Sequence, residues 1–450
     1  MLLRDTLVEV LKDARPPRPP RPEVKRELAR GIPARSAQAL VLTGVRRCGK
    51  SVLQAQLMRR RHAPFYCNLE DARLYGLGPE DFPAFLSVLE ELAPGGAPVF
   101  LDEVQEVPEW QRLVRSLLDR GRTVCVTGSN ASLLSRAEKE PSHWPCPRGP
   151  AYRERARRAS RTVASGTGSA GEKGLTQGRL GREAGSRLTG RHLSFEVFPF
   201  SFREYLDYTR RRPGRASLTA WLDDGGFPAY LRERDPHILE ELLRDVVERD
   251  IAIRHGLREI RHAMNLALFL FANTGQPLSL QSLTKSLAVP SVAQTSRIVE
   301  CLQDSYLLFA LPKFSASFKK RVVAPNKYYA IDNGLRRAVS PQPNPDVGRR
   351  LENAVYLALR RAGGPLAYAG EKDAWECDFV TAREAIQVCA ELAPHNRERE
   401  VRGLVEGCRL PGKRSALLLT LNQRDAFVAD GLKVVVRPAW EWLLDGSARG

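Results

Sequence analysis

The chain has 450 residues, 43% of them hydrophobic, and its 70 Lys and Arg against 52 Asp and Glu give a formal net charge of +18. This length predicts roughly two to four domains with sizeable cores, and the lack of any run of about 18 uninterrupted apolar residues argues against a membrane span. The positive excess favours DNA, another nucleic acid or some other polyanion as partner, with a general arginine bias as the competing explanation.

Residues 1–37 read as a short amphipathic helix followed by a linker, because Pro16, Pro17, Pro19, Pro20 and Pro22 cannot lie in a helix interior. The stretch has no apolar run leading to a small-residue cleavage site, which predicts a cytoplasmic protein. From residue 38 strands and helices alternate: ALVLT, SVLQAQL, FYCNLED, DFPAFLSVLEEL, APVFLDE, WQRLVRSLLDRG and RTVCVTGSN. That alternation predicts a parallel sheet covered on both faces, in a domain spanning 38–210. Within it, residues 138–185 are rich in Gly, Ser, Arg and Pro without apolar periodicity, and read as a disordered insertion.

Residues 211–257 follow as a helical lid or linker, with an apolar stripe at Leu239, Leu242, Leu243, Val246, Val247 and Ile251. Residues 258–340 read as a winged-helix region. Its recognition helix is SVAQTSRIVECLQDSYLL, and its wing is made basic by Lys313, Lys319, Lys320, Arg321 and Lys327. Residues 341–450 form a last α/β domain with strands around LAYAG, WECDFV, IQVC, ALLLTL and KVVVR. The eight cysteines show no CxxC or Cys/His zinc spacing and read as small core residues. The predicted fold class is α/β, a parallel-sheet domain followed by helical and further α/β regions.

Between the strand ALVLT and the helix SVLQAQL lies Gly44-Val45-Arg46-Arg47-Cys48-Gly49-Lys50-Ser51, the GxxxxGK[ST] pattern in the context it requires. The glycines let backbone N–H groups turn in around phosphates. Lys50 brings a point charge to the β- and γ-phosphates, and the Ser51 hydroxyl ligates Mg²⁺. The predicted ligand is therefore ATP with Mg²⁺. The strand VFLDE ends in two acids, Asp102 to hold Mg²⁺ through water and Glu103 to polarise the attacking water. Asn130, ending VCVTGSN, would reach the γ-phosphate or the lytic water, with a plain turn residue as the alternative.

Together GVRRCGKS, LDEVQEVPEW, TGSN and LTGRHLSFEVFPFSFREYL resemble a prokaryotic AAA+-type P-loop ATPase family. The resemblance continues through GGFPAYL, RDVVERDI, YYAIDNGL and LENAVYL to PAWEWLL. In that family a winged-helix region and a C-terminal domain of uncharacterised function follow the ATPase. The resemblance implies that Asn130 is a sensor-like residue. It also implies that Arg191, or Arg187 just before it, is an arginine finger for a neighbouring subunit's nucleotide, and hence a homo-oligomer. A surface salt bridge is the alternative for either arginine. The segment 138–185 departs from the family pattern, in which SLLS leads to LTGR within a few residues. It reads either as a regulatory loop or as sequence foreign to the ancestral reading frame.

The C-terminal region resembles the restriction-endonuclease-like fold, with Glu352 on a helix, Asp378 on a strand and Gln387 on the next. These three would position a divalent metal on a scissile phosphate. Cys389 stands where that fold has its lysine, which predicts a degenerate site without efficient cleavage. Three functions follow as expectations. The first is an ATP-hydrolysing switch or motor acting with nucleic acid or a protein partner. The others are an ATP-gated nuclease, and a nucleotide-sensing module with slow hydrolysis.

Overall fold

The structure is a computed structural model and describes residues 2–18, 22–93, 96–129, 191–253, 260–315, 317, 321, 323–340 and 346–445. The segment 138–185 and the residues Asn130, Arg187, Lys319 and Lys320 lie outside the described residues.

Among the described residues three sheets form. The first is the parallel sheet expected from the alternating pattern. Its strands are β1 (Ala39–Thr43), β2 (Phe65–Asn68), β3 (Val99–Asp102), β4 (Val124–Gly128) and β5 (His192–Glu196), in the order β2-β3-β4-β1-β5. The two-residue period of a strand sorts its side chains between two cores. Leu40, Leu42, Phe100 and Cys125 join one, while Ala39, Val41, Val99, Leu101, Val124 and Val126 join the other. Both faces are covered, so the strands are apolar along their length. The helices of this region are α1 (Arg4–Asp13), α2 (Lys50–Met58), α3 (Phe82–Leu92) and α4 (Trp110–Asp119). Leu7, Val10 and Leu11 of α1 pack with Phe85, Leu86 and Leu89 of α3 on one face, and α2 covers the other through Leu53 and Leu57.

After β5 come α5 (Phe202–Thr209), α6 (Arg215–Asp224), α7 (Pro228–Glu233) and α8 (His237–Asp245). Ser201 and Glu204 cap α5 reciprocally, each side chain accepting from the other's backbone N–H. The apolar stripe beginning in α8 does not continue as an α-helix; Val246–Ile253 is a π-helix. Next are α9 (Ile260–Ala272), β6 (Pro277–Leu278), α10 (Leu280–Ser286), α11 (Val292–Asp304), β7 (Leu308–Leu311) and β8 (Asn326–Ala330). The three strands form an antiparallel sheet in the order β6-β8-β7. Ser279 and Ser291 cap α10 and α11. α11 turns Ile298, Val299 and Leu302 inward and exposes Arg297 and Glu300 together, so its outer face is not a cationic one.

The last region holds α12 (Asn333–Val339), α13 (Val347–Ala362), β9 (Ala367–Glu371), β10 (Trp375–Val380), β11 (Glu384–Val388), α14 (Pro394–Arg409), β12 (Ser415–Thr420), β13 (Asp425–Ala429), β14 (Leu432–Pro438) and α15 (Ala439–Asp445). Its strands make a mixed sheet in the order β13-β14-β12-β11-β10-β9. Tyr356 of α13 stacks on Tyr329 of β8 with ring centroids 4.1 Å apart. Arg360 of α13 holds Glu196, at the end of β5, through two hydrogen bonds of 2.7 and 3.0 Å. The Tyr306 hydroxyl donates to Thr43 Oγ1, at the end of β1, at 2.7 Å. The later regions thus attach at the C-terminal edge of the parallel sheet, the edge that carries the glycine-rich loop. No described helix is long and apolar enough to cross a membrane.

Candidate functional site

The glycine-rich loop leaves β1 at Thr43 and enters α2 at Lys50. Gly44 (φ 155°) and Gly49 (φ 100°) have backbone angles that favour glycine, and space reinforces the choice. A Cβ on Gly44 would come 2.2 Å from the Val197 carbonyl oxygen, and one on Gly49 would come 2.8 Å from Arg26 Nη1. No side chain caps the N-terminus of α2. Its first-turn N–H groups suit an anion, as does the positive end of the helix dipole. Lys50 is 4% exposed, and its Nζ donates to the Gly44 and Val45 carbonyls at 3.1 Å each. A buried ammonium with neutral partners favours an incoming phosphate.

The parallel register carries the acids to the same edge. Leu101 lies beside Val126, which lies beside Val41, so Asp102 stands in the row of Leu42, two residues before the loop. Thr127 joins the two acids. Its hydroxyl donates a short hydrogen bond to Asp102 Oδ1 and accepts from the Glu103 N–H at 3.0 Å. The Tyr66 hydroxyl donates to Asp102 Oδ2 at 3.0 Å; burial first, and then the Asp102 charge, push its pKa far up and keep it a donor. Glu103 sits in the left-handed region (φ 52°), a conformation unusual for a non-glycine residue. Its Oε2 accepts from Gln105 Nε2 at 2.5 Å. Burial and the neighbouring Glu103 charge push Glu70 upward.

Three buried polar atoms here have no hydrogen-bond partner among the described residues: Ser129 Oγ, just past β4, Gln54 Oε1 on α2 and Gln105 Oε1 beside Glu103. Unsatisfied buried groups are rare in folded proteins. With the open helix end and Lys50, they fit a site that completes itself with a polar ligand and its metal.

Two features escape a linear reading. Arg26, in the stretch assigned to a proline-rich linker, is 5% exposed. It donates to the Cys48 carbonyl at 2.9 Å, to the Phe198 carbonyl at 2.5 Å and to Glu204 Oε1 at 3.0 Å. It therefore props the loop from behind, and no spacing rule links it to an acid 178 residues away. The second is Asp250 on the π-helix, which accepts from Arg46 Nε at 2.7 Å. Its signal was available: Leu243, Val247 and Asp250 continue one helical face, so an acid occupies a position of the apolar stripe.

Arg191 lies just before β5, whose first residue pairs with the first residue of β1. It is about 13 Å of strand away from the loop edge. It is exposed and pairs with Asp119 at 2.7 Å. Asn130 and Arg187 lie outside the described residues, so neither is located.

Glu352, Asp378 and Gln387 do come together, but around a cation that the sequence reading placed elsewhere. Lys327, expected on an exposed basic wing, is 1% exposed. Its ammonium reaches Glu352 at 3.2 Å, Asp378 at 3.1 Å and Glu376 at 2.8 Å. The position is a correction of that expectation, and its cause is alternation along β8, which turns Lys327 and Tyr329 inward together. Burial alone would lower the Lys327 pKa, but the three carboxylates hold it well above the ordinary value. Tyr329 donates to Glu352 Oε1 at 2.6 Å, and Gln387 bridges the Asp378 N–H and Glu400. Cys389 is a neutral thiol pushed up to about 12, by burial and then by Glu400 and Asp378. Among the described residues no group of three or more His, Cys, Asp or Glu is arranged to hold a metal.

Comparison with known proteins bears on the first site. Residues 36–143 match the profile of a family described as an AAA domain, and residues 216–346 match a domain of unknown function (DUF8612). An uncharacterized protein of Methanocaldococcus jannaschii is 28% identical over 439 residues, covering 90% of this chain and 88% of the relative. One of Haemophilus influenzae is 26% identical over 432 residues, covering 90% and 94%. Among solved structures, a signal transduction ATPase with numerous domains (STAND) from Pyrococcus horikoshii, with a tetratricopeptide repeat sensor, aligns over 76% of this chain. The overlap spans 46% of that protein, at 14% identity and a TM-score of 0.26. The family match covers β1 to β4 with the glycine-rich loop and the acidic strand end, so this part of the chain is similar to an AAA domain.

Proposed function

We propose that the chain is an ATP-hydrolysing switch, with its chemistry at the loop 44–51 and its mechanical output through the regions fixed to that edge of the sheet. The observation that carries this reading is Thr127 tying Asp102 and Glu103 together on the loop edge. The N–H groups of residues 44–51 and Lys50 bind the phosphates, and Ser51 with Asp102 holds Mg²⁺. When bound, Mg²⁺ draws charge from the β- and γ-phosphate oxygens. Glu103 takes the proton side of the attacking water, held at its angle by the Thr127 hydroxyl. Arg26 keeps the loop backbone in place.

Region 341–450 acts in this reading as a packing element, because the Lys327 ammonium already stands among its carboxylates where a metal would sit. An intersubunit role for Arg191 requires a neighbouring loop to face the opposite edge of the sheet. The test is turnover and Mg·ATP binding in wild type and Glu103→Gln, with and without DNA. Binding retained with turnover reduced roughly 10²–10⁴-fold is expected for the mutant. Normal turnover in Glu103→Gln would remove the acid from its role.

A further inference from the structure

The loop is held from the front as well as from behind. Arg46 and Arg47, consecutive loop residues, pair with Asp250 at 2.7 Å and Asp245 at 3.4 Å. Both acids belong to one continuous segment, α8 and its π-helix. The inner pair is the tighter one: the Asp250 side chain is 3% exposed, and Arg46 is its partner among the described residues. The charges of Asp250, Glu103 and Glu70 all bear on the Arg46 guanidinium, so it faces the acids of the nucleotide site as well as the π-helix.

We infer that Asp250 is an autoinhibitory counter-ion: it holds Arg46 in the place of a phosphate, and nucleotide binding releases the segment 237–253 from the loop. The inference rests on the ATPase reading above and adds its regulation. A triphosphate on the loop competes with Asp250 for one guanidinium. If Arg46 turns to the phosphates, Asp250 is left as a buried carboxylate without its cation, an arrangement that proteins do not tolerate. If Asp250 keeps Arg46, the phosphates bind beside a buried like charge. Bound nucleotide and the docked π-helix therefore oppose each other, and the coupling is reciprocal. The backbone of Arg46 is fixed in the loop, and the side that yields is the π-helix, a rare geometry found frequently at functional sites.

The experiment is hydrogen exchange on the full chain with and without Mg·ATPγS, beside titration of Mg·ATPγS onto wild type, Asp250→Asn and Asp245→Asn. In wild type, amides of 246–253 are expected to exchange at least about tenfold faster when nucleotide is bound. Asp250→Asn should show that faster exchange without nucleotide and bind Mg·ATPγS about tenfold more tightly. Asp245→Asn, at the more exposed pair, should move both readouts the same way by less, and it carries the test if Asp250→Asn does not fold. Nucleotide binding with unchanged or greater protection of 246–253, or mutants that bind no more tightly, would overturn the latch and leave the ATPase reading standing. A folded wild-type chain that binds no Mg·ATPγS would overturn both.

Discussion

Lys50 and Lys327 are both buried lysines, 4% and 1% exposed, and their partners differ in kind. Lys50 donates to two backbone carbonyls, which neutralise none of its charge. Lys327 is ringed by three carboxylates. A burial measure alone makes the two sites equivalent, and a count of charges separates them. The Lys50 ammonium has no acid among its hydrogen-bond partners and suits a phosphate. The second site has more negative charge than its cation can balance, so it repels phosphate, and its own ammonium stands among the acids where a metal would sit. A nuclease-like layout of Glu352, Asp378 and Gln387 is thus present without the electrostatics of a nuclease.

Removing each lysine should expose that contrast. Lys327→Met strands three carboxylates, two of them buried, and should cost about 3–5 kcal/mol of stability while leaving Mg·ATP affinity unchanged. Urea unfolding beside nucleotide titration measures both, and a variant as stable as wild type would break the comparison. Lys50→Ala should do the reverse. A charge-assisted bond to phosphate is worth about 1.5–3 kcal/mol, so affinity for Mg·ATP should fall by roughly one to two orders of magnitude, with a stability change of about 1 kcal/mol.

Thr127→Val sharpens the account of the first site. The hydroxyl bonds Asp102 and the Glu103 N–H together, so its loss should lower turnover about tenfold and stability by about 1–2 kcal/mol. Turnover unchanged in a folded variant would mean that the acids hold their places without it. Arg191→Ala is expected to have the smallest effect, within about 1 kcal/mol in stability and about twofold in turnover, as for an exposed ion pair. A loss of orders of magnitude that depends on protein concentration would instead put Arg191 in a neighbour's site.

Much of the first site was legible because its parts are local. Gly44, Gly49, Lys50 and Ser51 fall within eight residues, and their strand and helix flank them directly. Asp102 and Glu103 end an apolar strand of the same sheet. Thr127 was inside a correctly read strand, but its role depends on β4 lying between β1 and β3, which is a property of strand order. Tyr66 and Arg26 were not legible at all as site residues, since each acts across a fold-level contact. Asp250 was partly legible, as an acid on an apolar stripe. The stripe has a helical period throughout, and the change to a π-helix at Val246 is not visible in it.

Local chemistry is what the sequence by itself determined: a phosphate loop between strand and helix, a strand ending in two acids, and α/β texture along most of the chain. These follow from dihedral preference, side-chain period and turn residues, which act over a few positions. Tertiary structure alone decided which charges meet. In the sequence Lys327 reads as one of the cations of a basic wing. β8 turns it inward onto Glu352, Glu376 and Asp378, 25 to 51 residues further along the chain. Pairing of that kind depends on how α13, β8 and β10 pack, and no local preference encodes it. The same holds for Arg46 and Asp250, 204 residues apart, which meet only because the later regions dock on the loop edge of the parallel sheet.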